Sequence, residues 1–561
     1  MEESSPNIYS IFFESYLYDT KLFFELESEH ILKNYSISEY LQKSLNRVNE
    51  EKERIDEYFF PKNKKELIEL FSDVFIAKNL KILMENEDSS LKIFMINDNF
   101  KDLQNFYQLS SIHLPCFIIL KKNISEYISQ TLNSFLNDNK SKMNFKEIIE
   151  KLINFKEKMF LILEKSFLIG LSQDLEIAKA VKDSFFNFIN KGNIISNYLN
   201  KYIDFFMQKQ SKKMNDDELE LNLEKIVEIF KIILSKDIFE IQYRKLLMKR
   251  LLIFKNTNED IEVKLIQKFS IICGALYTSN FYSILKNNSI SKENFKEFQN
   301  YCSNLKVTPH RDISNFCFDV YSQNIWSFEE KKEEFGFPDE FNDILKVFQK
   351  FYNEKFPQRN LKWITSLGSG TLKANFLIHP KYLKLQNIQI FVLMNFNKKK
   401  IWSLKEIQAA LNISRQNTTI LTNCLKSFLK FKILLKYPCE NNNDFSISDS
   451  NQFVVNQNFN HKSHEIKIPL IIDEEDMEKN EEKDMETVIL QRKILIESYI
   501  IRVMKARKTI THTILVQEIS SFCSNKNFAP SATQIKDSIE SLINREYLER
   551  KNEGNCYNYL S

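Results

Sequence analysis

Glycine and proline are scarce in this chain of 561 residues, which contains seven glycines and ten prolines. Together they make up about 3% of the sequence, where average usage would put them near 12%. Positive φ angles and tight strand connections depend on these residues, so barrels, sandwiches and glycine-dependent nucleotide folds are excluded for most of the length. We expect long helices instead, in several domains, because a chain of this length exceeds what one hydrophobic core serves.

An excess of charge of one sign and closely paired cysteines are lacking as well. The 78 basic and 75 acidic residues leave a formal net charge of +3, so we expect no general attraction to nucleic acid or to membranes. The eight cysteines include no C-x-x-C pair, which predicts reduced thiols in a cytoplasmic or nuclear protein. The N-terminal residues do not have the composition of a signal peptide, and no apolar run reaches the roughly 20 residues of a membrane span.

Motifs of catalysis and cofactor binding are also missing. The sequence contains no phosphate-binding loop, dinucleotide fingerprint, zinc-protease helix or nucleophile elbow. Its seven histidines are scattered, without cysteines or carboxylates at metal-ligand spacing. We therefore expect no enzyme, no cofactor and no metal site.

Apolar stripes at helical spacing are plentiful in the N-terminal half. Each stripe is expected to be the buried face of one helix in an elongated stack of antiparallel helices. The stripes are Ile11, Phe12, Ser15, Tyr16, Asp19, Phe23 and Leu26; Leu67, Leu70, Phe71, Val74 and Phe75; and Ile148, Leu152, Phe155, Met159 and Ile162.

The architecture is expected to change after Gly336, where glycine and proline cluster. Short strands are expected over residues 363–365 and 372–378, on either side of a G-S-G turn. Ser403 and Glu406 have the spacing of a capping box and begin a helix, helix, strand pattern of winged-helix type. The polar residues 441–486 predict a solvated linker, after which the winged-helix pattern repeats. Helical spacing predicts a buried stripe on the first helix of that repeat, made of Ile496, Tyr499, Ile500 and Val503.

The predicted fold is mainly α. It consists of helical repeats over 1–232, a helical bundle over 233–335, an α/β and winged-helix part over 336–440, the linker over 441–486 and a C-terminal winged helix over 487–561. The third helix of that last module, over residues 531–546, balances its cations against its acids, which does not suit a helix that faces phosphates. We therefore expect no nucleic-acid partner.

A basic segment at residues 241–255 carries five cations and no acid. Leu247, Leu251 and Phe254 are expected to be buried, which places the cations on the other face of the helix. This face is either an ordinary solvated surface or a site for an acidic partner. The cations assigned to it are Arg244, Lys245, Lys249 and Arg250.

Three segments, DIFEIQYRKLLMKRLL, LKWITSLGSGTLKANF and IIRVMKARKTITHTILVQEI, together resemble the cullins, the scaffold subunits of RING-type ubiquitin ligases. Met248 stands where the family usually has alanine, and Asn280 where it usually has lysine. The sequence segments FESYLYDT and YLER are most similar to those of the cullin of SCF ligases. The opening helices resemble the second of the family's three repeats. Because the first repeat carries the adaptor site, we expect no adaptor binding in the family's manner.

The resemblance implies a non-catalytic scaffold that promotes ubiquitination and proteasomal degradation of substrates. Its implied partners are an Rbx-like RING protein, a ubiquitin-conjugating enzyme held by that RING protein, and a Nedd-type ubiquitin-like modifier. The modifier is expected on Lys505 through an isopeptide bond, with Lys508 as the second choice. The residues implied in RING binding are Trp363, Leu372, Ala374, Asn375, Phe376 and Ile378.

Two alternatives also combine helical repeats with a terminal winged helix. One is a subunit of a proteasome-lid type complex, and the other is the cullin-like subunit of the anaphase-promoting complex.

Overall fold

The computed structural model divides into two compact units. One comprises Met1–Tyr202 and Glu224–Leu234, and the other comprises Ile203–Leu223 and Ser235–Ser561. The residues that the structure describes are 8–58, 61–85, 90–137, 145–170, 173–210, 214–253, 259–305, 316–326, 335–413, 418–437, 447–448, 451–471, 474–525, 528–551 and 556–560.

Helices follow one another through the N-terminal part of the chain, as the shortage of glycine and proline predicts. π-helical segments at Ser72–Ala77, Leu163–Phe167 and Phe206–Gln210 follow three of them. The helices are α1 (Ile8–Asn34), α2 (Ile37–Tyr58), α3 (Pro61–Phe71), α4 (Lys78–Glu85), α5 (Ser90–Ile96), α6 (Phe100–Ile112), α7 (Leu114–Asn137), α8 (Phe145–Ile162), α9 (Asp174–Ile189), α10 (Ile194–Phe205) and α11 (Asp216–Ile232).

Two of the three expected buried stripes are confirmed. Leu67, Phe71 and Phe75 are at most 4% exposed, and the stripe on α8 is buried along its whole length. The stripe on α1 was predicted wrongly, because most of its large apolar side chains face outward. Instead, α1 is held in the unit by Phe13 and Phe24, which lie on its opposite side and are buried.

Helices also dominate the rest of the chain. Single 3-10 turns occur at Asp339–Phe341 and Thr365–Leu367. The helices are α12 (Lys236–Ile253), α13 (Glu259–Cys273), α14 (Ala275–Leu305), α15 (Asn342–Lys355), α16 (Asn387–Asn395), α17 (Leu404–Ala410), α18 (Thr418–Lys430), α19 (Glu474–Arg507), α20 (His512–Asn525) and α21 (Ala532–Asn544). Among the described helices, none combines the length and the apolar composition needed to cross a bilayer.

The strands of the second unit form small sheets of three strands each, in the orders β1-β2-β6, β3-β5-β4 and β7-β9-β8. Neighbouring strands are antiparallel except β2 and β6, which are parallel. The strands are β1 (Ser369–Ala374), β2 (Lys381–Gln386), β3 (Ile401–Ser403), β4 (Leu434–Tyr437), β5 (Gln452–Val455), β6 (Glu465–Lys467), β7 (Thr509–Thr511), β8 (Leu548–Lys551) and β9 (Cys556–Tyr559).

The predicted pair of strands around the G-S-G sequence is wrong. Residues 363–365 form no strand, and Ser369 and Gly370 belong to β1 itself. Gly368 is needed for a different reason than a hairpin turn. A Cβ atom there would lie 2.0 Å from the side-chain amide nitrogen of Asn387, so only glycine allows this close approach.

The predicted linker over 441–486 is wrong from residue 452 onward. β5 is the central strand of its sheet, with Phe453 fully buried. β6 adds to the first sheet through Ile466, which is 4% exposed. α19 begins at Glu474, within the predicted linker. Composition alone predicted a solvated segment, whereas pairing with distant strands recruits its few apolar residues into the core. Residues 441–446 lie outside the described part of the chain.

The predicted capping box at the start of α17 is confirmed. The Ser403 hydroxyl accepts a hydrogen bond from the Glu406 backbone N–H at 3.3 Å, and the Glu406 carboxylate accepts one from the Ser403 N–H at 2.9 Å. Lys399 donates to the same carboxylate at 2.6 Å. These bonds to Lys399 and Ser403 lower the pKa of Glu406 to about 2.

Candidate subunit-binding edge and modification site

Strand β1 is an edge strand within the described structure. It pairs with β2 in antiparallel register, with Leu372 opposite Leu383, and no described strand pairs with its other side. Its side chains alternate between exposed and half-buried positions. The half-buried Leu372 and Ala374 pack on the core below the sheet. An open row of backbone donors and acceptors therefore borders this sheet.

The hydrogen-bond pattern identifies which residues of β1 face the open side. The Asn387 N–H donates to the Gly368 carbonyl at 2.9 Å, so Gly368 and Asn387 face each other as a hydrogen-bonded pair of the antiparallel ladder. Such pairs alternate along an antiparallel ladder, so Leu372 shares its N–H and carbonyl with β2. The N–H and carbonyl groups of Thr371 and Lys373 point away from β2, to the open edge.

The opposite side of β2 agrees with this assignment. The Tyr382 N–H donates to the His464 carbonyl at 3.0 Å, and the Lys384 carbonyl accepts from the Ile468 N–H at 3.1 Å. Both groups point towards β6. The N–H and carbonyl groups of Leu383, which lies between Tyr382 and Lys384, therefore point towards β1, as the register requires.

The six residues predicted to bind a RING protein do not form one surface. Phe376 is 8% exposed and packs on Phe459 with ring centroids 4.9 Å apart. Asn375 lies just past the end of β1 and is exposed, and Ile378 is 46% exposed. Trp363 belongs to a separate aromatic cluster, where it is half-buried beside Phe348.

Sequence reasoning missed the residues that form the edge itself, Ser369, Thr371 and Lys373. The alternation of polar and apolar residues along β1 could have indicated them. The face that each side chain occupies can be inferred from such a pattern, whereas the direction of each N–H also requires the identity of the pairing strand.

Lys505 lies in the last turn of α19, where that helix packs on the C-terminal winged helix. Ile496, Ile500 and Val503 are buried, as the sequence predicted, and Met504 next to the lysine is fully buried as well. Lys505 itself is exposed. Within the described residues its ammonium group has no ion pair or hydrogen bond. The position thus combines a fixed backbone with an accessible amine.

The cations beside Lys505 are engaged in contacts of their own. Arg507 forms an ion pair with Glu518 at 2.5 Å. The Lys508 carbonyl accepts a hydrogen bond from the Tyr559 N–H at 2.9 Å, and its ammonium group lies 5.3 Å from the centre of the Tyr559 ring. The φ angle of Lys508 is +65°, which ends the helix. Lys508 is therefore part of the junction between α19 and β7, in contrast to Lys505.

The same helix is anchored about one turn before its buried apolar stripe. Arg492, which is 8% exposed, donates two hydrogen bonds of 2.6 Å to the carboxylate of Asp237 on α12. Its guanidinium group also lies 5.0 Å from the centre of the Phe528 ring. A bidentate pair of this kind fixes both position and orientation.

The predicted basic face on α12 is wrong for Arg250. This residue is fully buried and donates to Glu262 at 2.7 and 3.1 Å and to Asp204 at 3.1 Å. The Tyr243 hydroxyl donates to the same Glu262 carboxylate at 2.9 Å. Burial by itself lowers the pKa of Arg250, but the Glu262 carboxylate reverses this effect and raises the pKa above its usual value. Arg250 is thus a structural residue.

The other predicted cations of α12 differ in exposure. Lys249 is exposed, whereas Arg244 and Lys245 are half-buried, and Arg244 lies 4.0 Å from Glu240. Phe254, expected to be buried below them, lies outside the described residues.

Lys249 belongs to a different group of lysines, which lie near Lys467. The pKa of Lys467 on β6 is lowered by its partial burial and by the charges of Lys209, Lys384 and Lys249. These four lysines come from separate elements of the second unit. Their grouping could not be read from the sequence, because they are far apart along the chain.

Comparison with protein families gives matches along most of the chain. Residues 1–294 match the cullin alpha solenoid domain, residues 320–459 the cullin alpha+beta domain, and residues 491–554 the cullin protein neddylation domain. The last of these matches contains Lys505, and the second contains β1.

Curated proteins show the same similarity. The chain is 30% identical to Cullin-4A of Mus musculus over 563 residues, which cover the whole chain and 71% of that protein. It is 27% identical to Cullin-3A of Arabidopsis thaliana, over 96% of the chain and 72% of the relative. It is also 27% identical to Cullin-1 of Schizosaccharomyces pombe, over the whole chain and 72% of the relative. These relatives are of several types, so the likeness to the SCF-type cullin stays a prediction. They do not favour the proteasome-lid alternative.

Proposed function

The chain belongs to the cullin family, and we propose that it is the scaffold subunit of a cullin-RING ubiquitin ligase that a Nedd-type modifier activates through Lys505. The observation that carries this proposal is the exposed ammonium group of Lys505, which has no partner among the described residues and lies on a fixed helix end inside the segment that matches the neddylation domain. The scaffold itself needs no catalytic group, because the transfer chemistry belongs to the enzymes that it brings together.

The attachment step requires only an accessible amine from this chain. The neutral ε-amine of Lys505 attacks the thioester that joins the modifier's C-terminal carbonyl to a cysteine of its conjugating enzyme. The C–N bond forms, the C–S bond breaks, and the thiolate leaves while the amine loses a proton to solvent or to a base of that enzyme. The product is an isopeptide bond. Buried Met504 holds the helix end in place, which reduces the entropy lost when the amine is positioned.

Intact-mass spectrometry of the purified chain, incubated with the modifier, its activating and conjugating enzymes and ATP, tests this assignment. The wild-type chain is expected to gain the mass of one modifier. Lys505→Arg keeps the charge but removes the nucleophile, so its modification is expected to be at least about 100-fold slower, as when a reacting group is lost.

Lys508→Arg is the matched control, since it changes a neighbouring lysine that the fold already engages. It is expected to be modified at the wild-type rate. Modification of the Lys505→Arg chain at that same rate would show that the acceptor lies elsewhere.

The open edge of β1 supports the second part of the proposal, the binding of an Rbx-like RING protein. An incoming strand can pair with the exposed N–H and carbonyl groups of Thr371 and Lys373. The exposed apolar side chains of Leu377 and Ile378, 74% and 46% exposed, lie just beyond the strand and offer additional contact area. The backbone supplies affinity in this arrangement, and the side chains supply selectivity.

A single proline substitution on β1 tests whether the RING protein binds to this open edge. Thr371→Pro removes a donor that faces outward, where an edge strand tolerates proline, and is expected to weaken RING-protein binding at least tenfold. Thr371→Val keeps the N–H and the β-branched shape, and is expected to bind as the wild type does. Isothermal titration of the RING protein into each chain measures the effect. If Thr371→Pro and Lys373→Pro chains both fold and bind normally, the RING protein uses another surface.

The lysines near Lys467, which are Lys249, Lys209 and Lys384, support the predicted site for an acidic partner without the buried Arg250. Lys384 also pairs with Glu465 at 2.7 Å. A ubiquitin-conjugating enzyme held by the RING subunit is the partner that such a surface would serve. The cytoplasmic or nuclear location stays a prediction.

A further inference from the structure

The sheet β3-β5-β4 has an outer face that is largely apolar. Ile401 lies opposite Val454, and Val454 lies opposite Leu435, so these three side chains form one row across the strands. Tyr437 lies two residues further along β4 and is on the same side of the sheet. Ile401, Leu435 and Tyr437 are 46%, 38% and 53% exposed, and Val454 on the central strand is half-buried. We name these four residues the internal sheet face.

The other side of this sheet belongs to the protein core. Phe453 on β5 is fully buried, and Trp402 on β3 packs against the same core. In the described part of the chain, that core includes none of the four residues of the internal sheet face. Their apolar side chains are therefore surplus to the core, and clustered apolar surface of this kind is typical of an interaction site.

The C-terminal sheet β7-β9-β8 has the same strand order and register, but its equivalent outer face is mostly polar. The equivalent positions are Thr509, Asn558, Glu549 and Lys551, in the places of Ile401, Val454, Leu435 and Tyr437. A polar outer face is what a sheet with one solvated side normally has. A sheet of this architecture therefore does not need apolar side chains at these positions, so the internal sheet face has them for another purpose.

The three strands, with the turns that lead into β3 and β4, carry charge of one sign, because they contain six lysines and no acid. These segments are residues 396–403, 430–437 and 452–455. Two of the lysines, Lys398 and Lys399, pair with carboxylates of other segments. Lys400, Lys430 and Lys432 are exposed and form no ion pair within the described residues. Exposed cations beside an apolar surface favour an acidic partner.

The size of the internal sheet face suits a single helix. Three strands about 4.8 Å apart, with three or four residues each, make a surface of about 14 Å by 14 Å. A stable dimer buries roughly 800 Å² on each partner, and a second copy of the chain would also bring the same lysines against one another. An α-helix is about 10–12 Å across with its side chains, so two to three turns of one helix cover the face.

From these observations we propose that the internal sheet face binds an acidic amphipathic α-helix of another polypeptide. The apolar stripe of that helix packs on Ile401, Leu435 and Tyr437. Its carboxylates pair with the exposed lysines beside β3 and β4, of which Lys400 directly precedes the apolar row. The apolar contact supplies affinity, and the charges set the orientation of the helix. The binding is independent of the modification of Lys505 and of the β1 edge.

Fluorescence anisotropy with designed peptides tests the proposal on the full 561-residue chain. The probe is a labelled peptide of about 18 residues, or roughly five helical turns, with leucines at helical spacing and glutamates elsewhere. One comparison peptide replaces every glutamate by lysine, and another keeps the acidic composition but scrambles the leucine spacing. The acidic amphipathic peptide is expected to bind at least about tenfold more tightly than either comparison peptide.

Variants of the chain locate the site. Ile401→Thr combined with Leu435→Glu gives the face the residues of its C-terminal counterpart, and is expected to weaken binding at least about tenfold. Leu435→Thr alone keeps a side chain suited to a strand and is expected to weaken binding several-fold, as is Lys400→Gln. Hydrogen exchange in β5 is expected to match the wild type in each variant, which shows that the sheet is intact.

Ile271→Glu is the matched control. Ile271 is 85% exposed on α13, outside the module that contains this sheet. The change adds the same negative charge as Leu435→Glu and removes an equally apolar side chain. It is expected to leave binding of the acidic amphipathic peptide unchanged.

Four results would overturn the proposal. Equal binding of the amphipathic and scrambled acidic peptides would show a general attraction to negative charge, and binding that survives both Leu435 variants would place the peptide elsewhere. Binding that is lost in Lys249→Gln combined with Lys467→Gln, but not in the Leu435 variants, would place it on the other lysine group. A wild-type dimer, seen by light scattering, that Ile401→Thr with Leu435→Glu dissociates would make the occupant a second copy of the chain.

Discussion

Two modules of the second unit have the same order of elements but differ in how they are embedded. The internal module consists of β3, α17, α18, β4 and β5, and the C-terminal module of β7, α20, α21, β8 and β9. In both, the last strand lies between the other two. α18 and α21 are 13 residues long, and each is followed by a residue with positive φ, Lys432 at 58° and Glu546 at 61°.

The cores of the two modules differ. That of the internal module also contains residues of the first sheet and of α16, such as Leu383, Val392 and Ile466. Among the described residues, the core of the C-terminal module draws its buried residues only from positions 496–557. The equivalent residues Ile433 and Tyr547 show the consequence, since the first is 1% exposed and the second 39%. Because its core is shared, the internal module is part of the structure that supports β1. Because its core is separate, the C-terminal module can be held by a single helix, α19.

The largest difference between the two modules is expected when a core side chain of each is truncated. Phe428 and Leu542 are fully buried at equivalent positions, and replacing either by alanine should cost about 3–5 kcal/mol for phenylalanine and 2–5 kcal/mol for leucine. Phe428→Ala is expected to speed hydrogen exchange in β1 and β2 as well, because their core is shared. Leu542→Ala is expected to affect only the C-terminal module. Equal acceleration in β2 by both changes would refute the separation of the cores.

The capping boxes of the two modules should respond differently to acid. α17 uses Glu406, whose pKa is lowered to about 2, whereas α21 uses the neutral Gln534. A carboxyl group with a lowered pKa stabilises the folded state above its unfolded value of 4.5, and this stabilisation is lost as the pH falls towards 2. The difference in unfolding free energy between wild type and Glu406→Gln should therefore shrink over that range. Gln534→Ala should show a pH-independent difference in chemical denaturation.

The smallest effect is expected at the two left-handed residues. Glycine adopts positive φ without the strain of other residues, but it also adds entropy to the unfolded chain. Lys432→Gly and Glu546→Gly should each stabilise the protein by at most about 1 kcal/mol, and by similar amounts, because the two turns match. Thermal unfolding measures both. A clear loss of stability in only one variant would show that its side chain makes a contact that the other lacks.

Local patterns predicted those parts of the fold that depend on neighbouring residues. Ser403 and Glu406 are three residues apart, and the stripe of Ile496, Ile500 and Val503 needs only helical spacing. Both are found in the structure. The presence of helices, and the alternation along β1, follow from the same kind of information.

Features that depend on distant partners were not predictable in this way. Arg250 has the spacing of a surface cation, but its partners Glu262 and Asp204 lie 12 and 46 residues away. Strand β5 is short and flanked by polar residues, and it becomes a central strand only through pairing with β3 and β4. On α1, periodicity detected an apolar face correctly but could not show that a different face is buried.

The anchoring of α19 has a mechanical consequence. Arg492 and Lys505 are 13 residues apart on one unbroken helix, which corresponds to about 20 Å along the axis and about 140° around it. The pair between Arg492 and Asp237 therefore fixes the base of a rigid arm, and Lys505 lies at the far end of that arm. A force on a protein attached to Lys505 would act on this pair as a torque, which is the force multiplied by the length of the arm. Small angular changes at Asp237 thus correspond to displacements of several ångströms at the attached group.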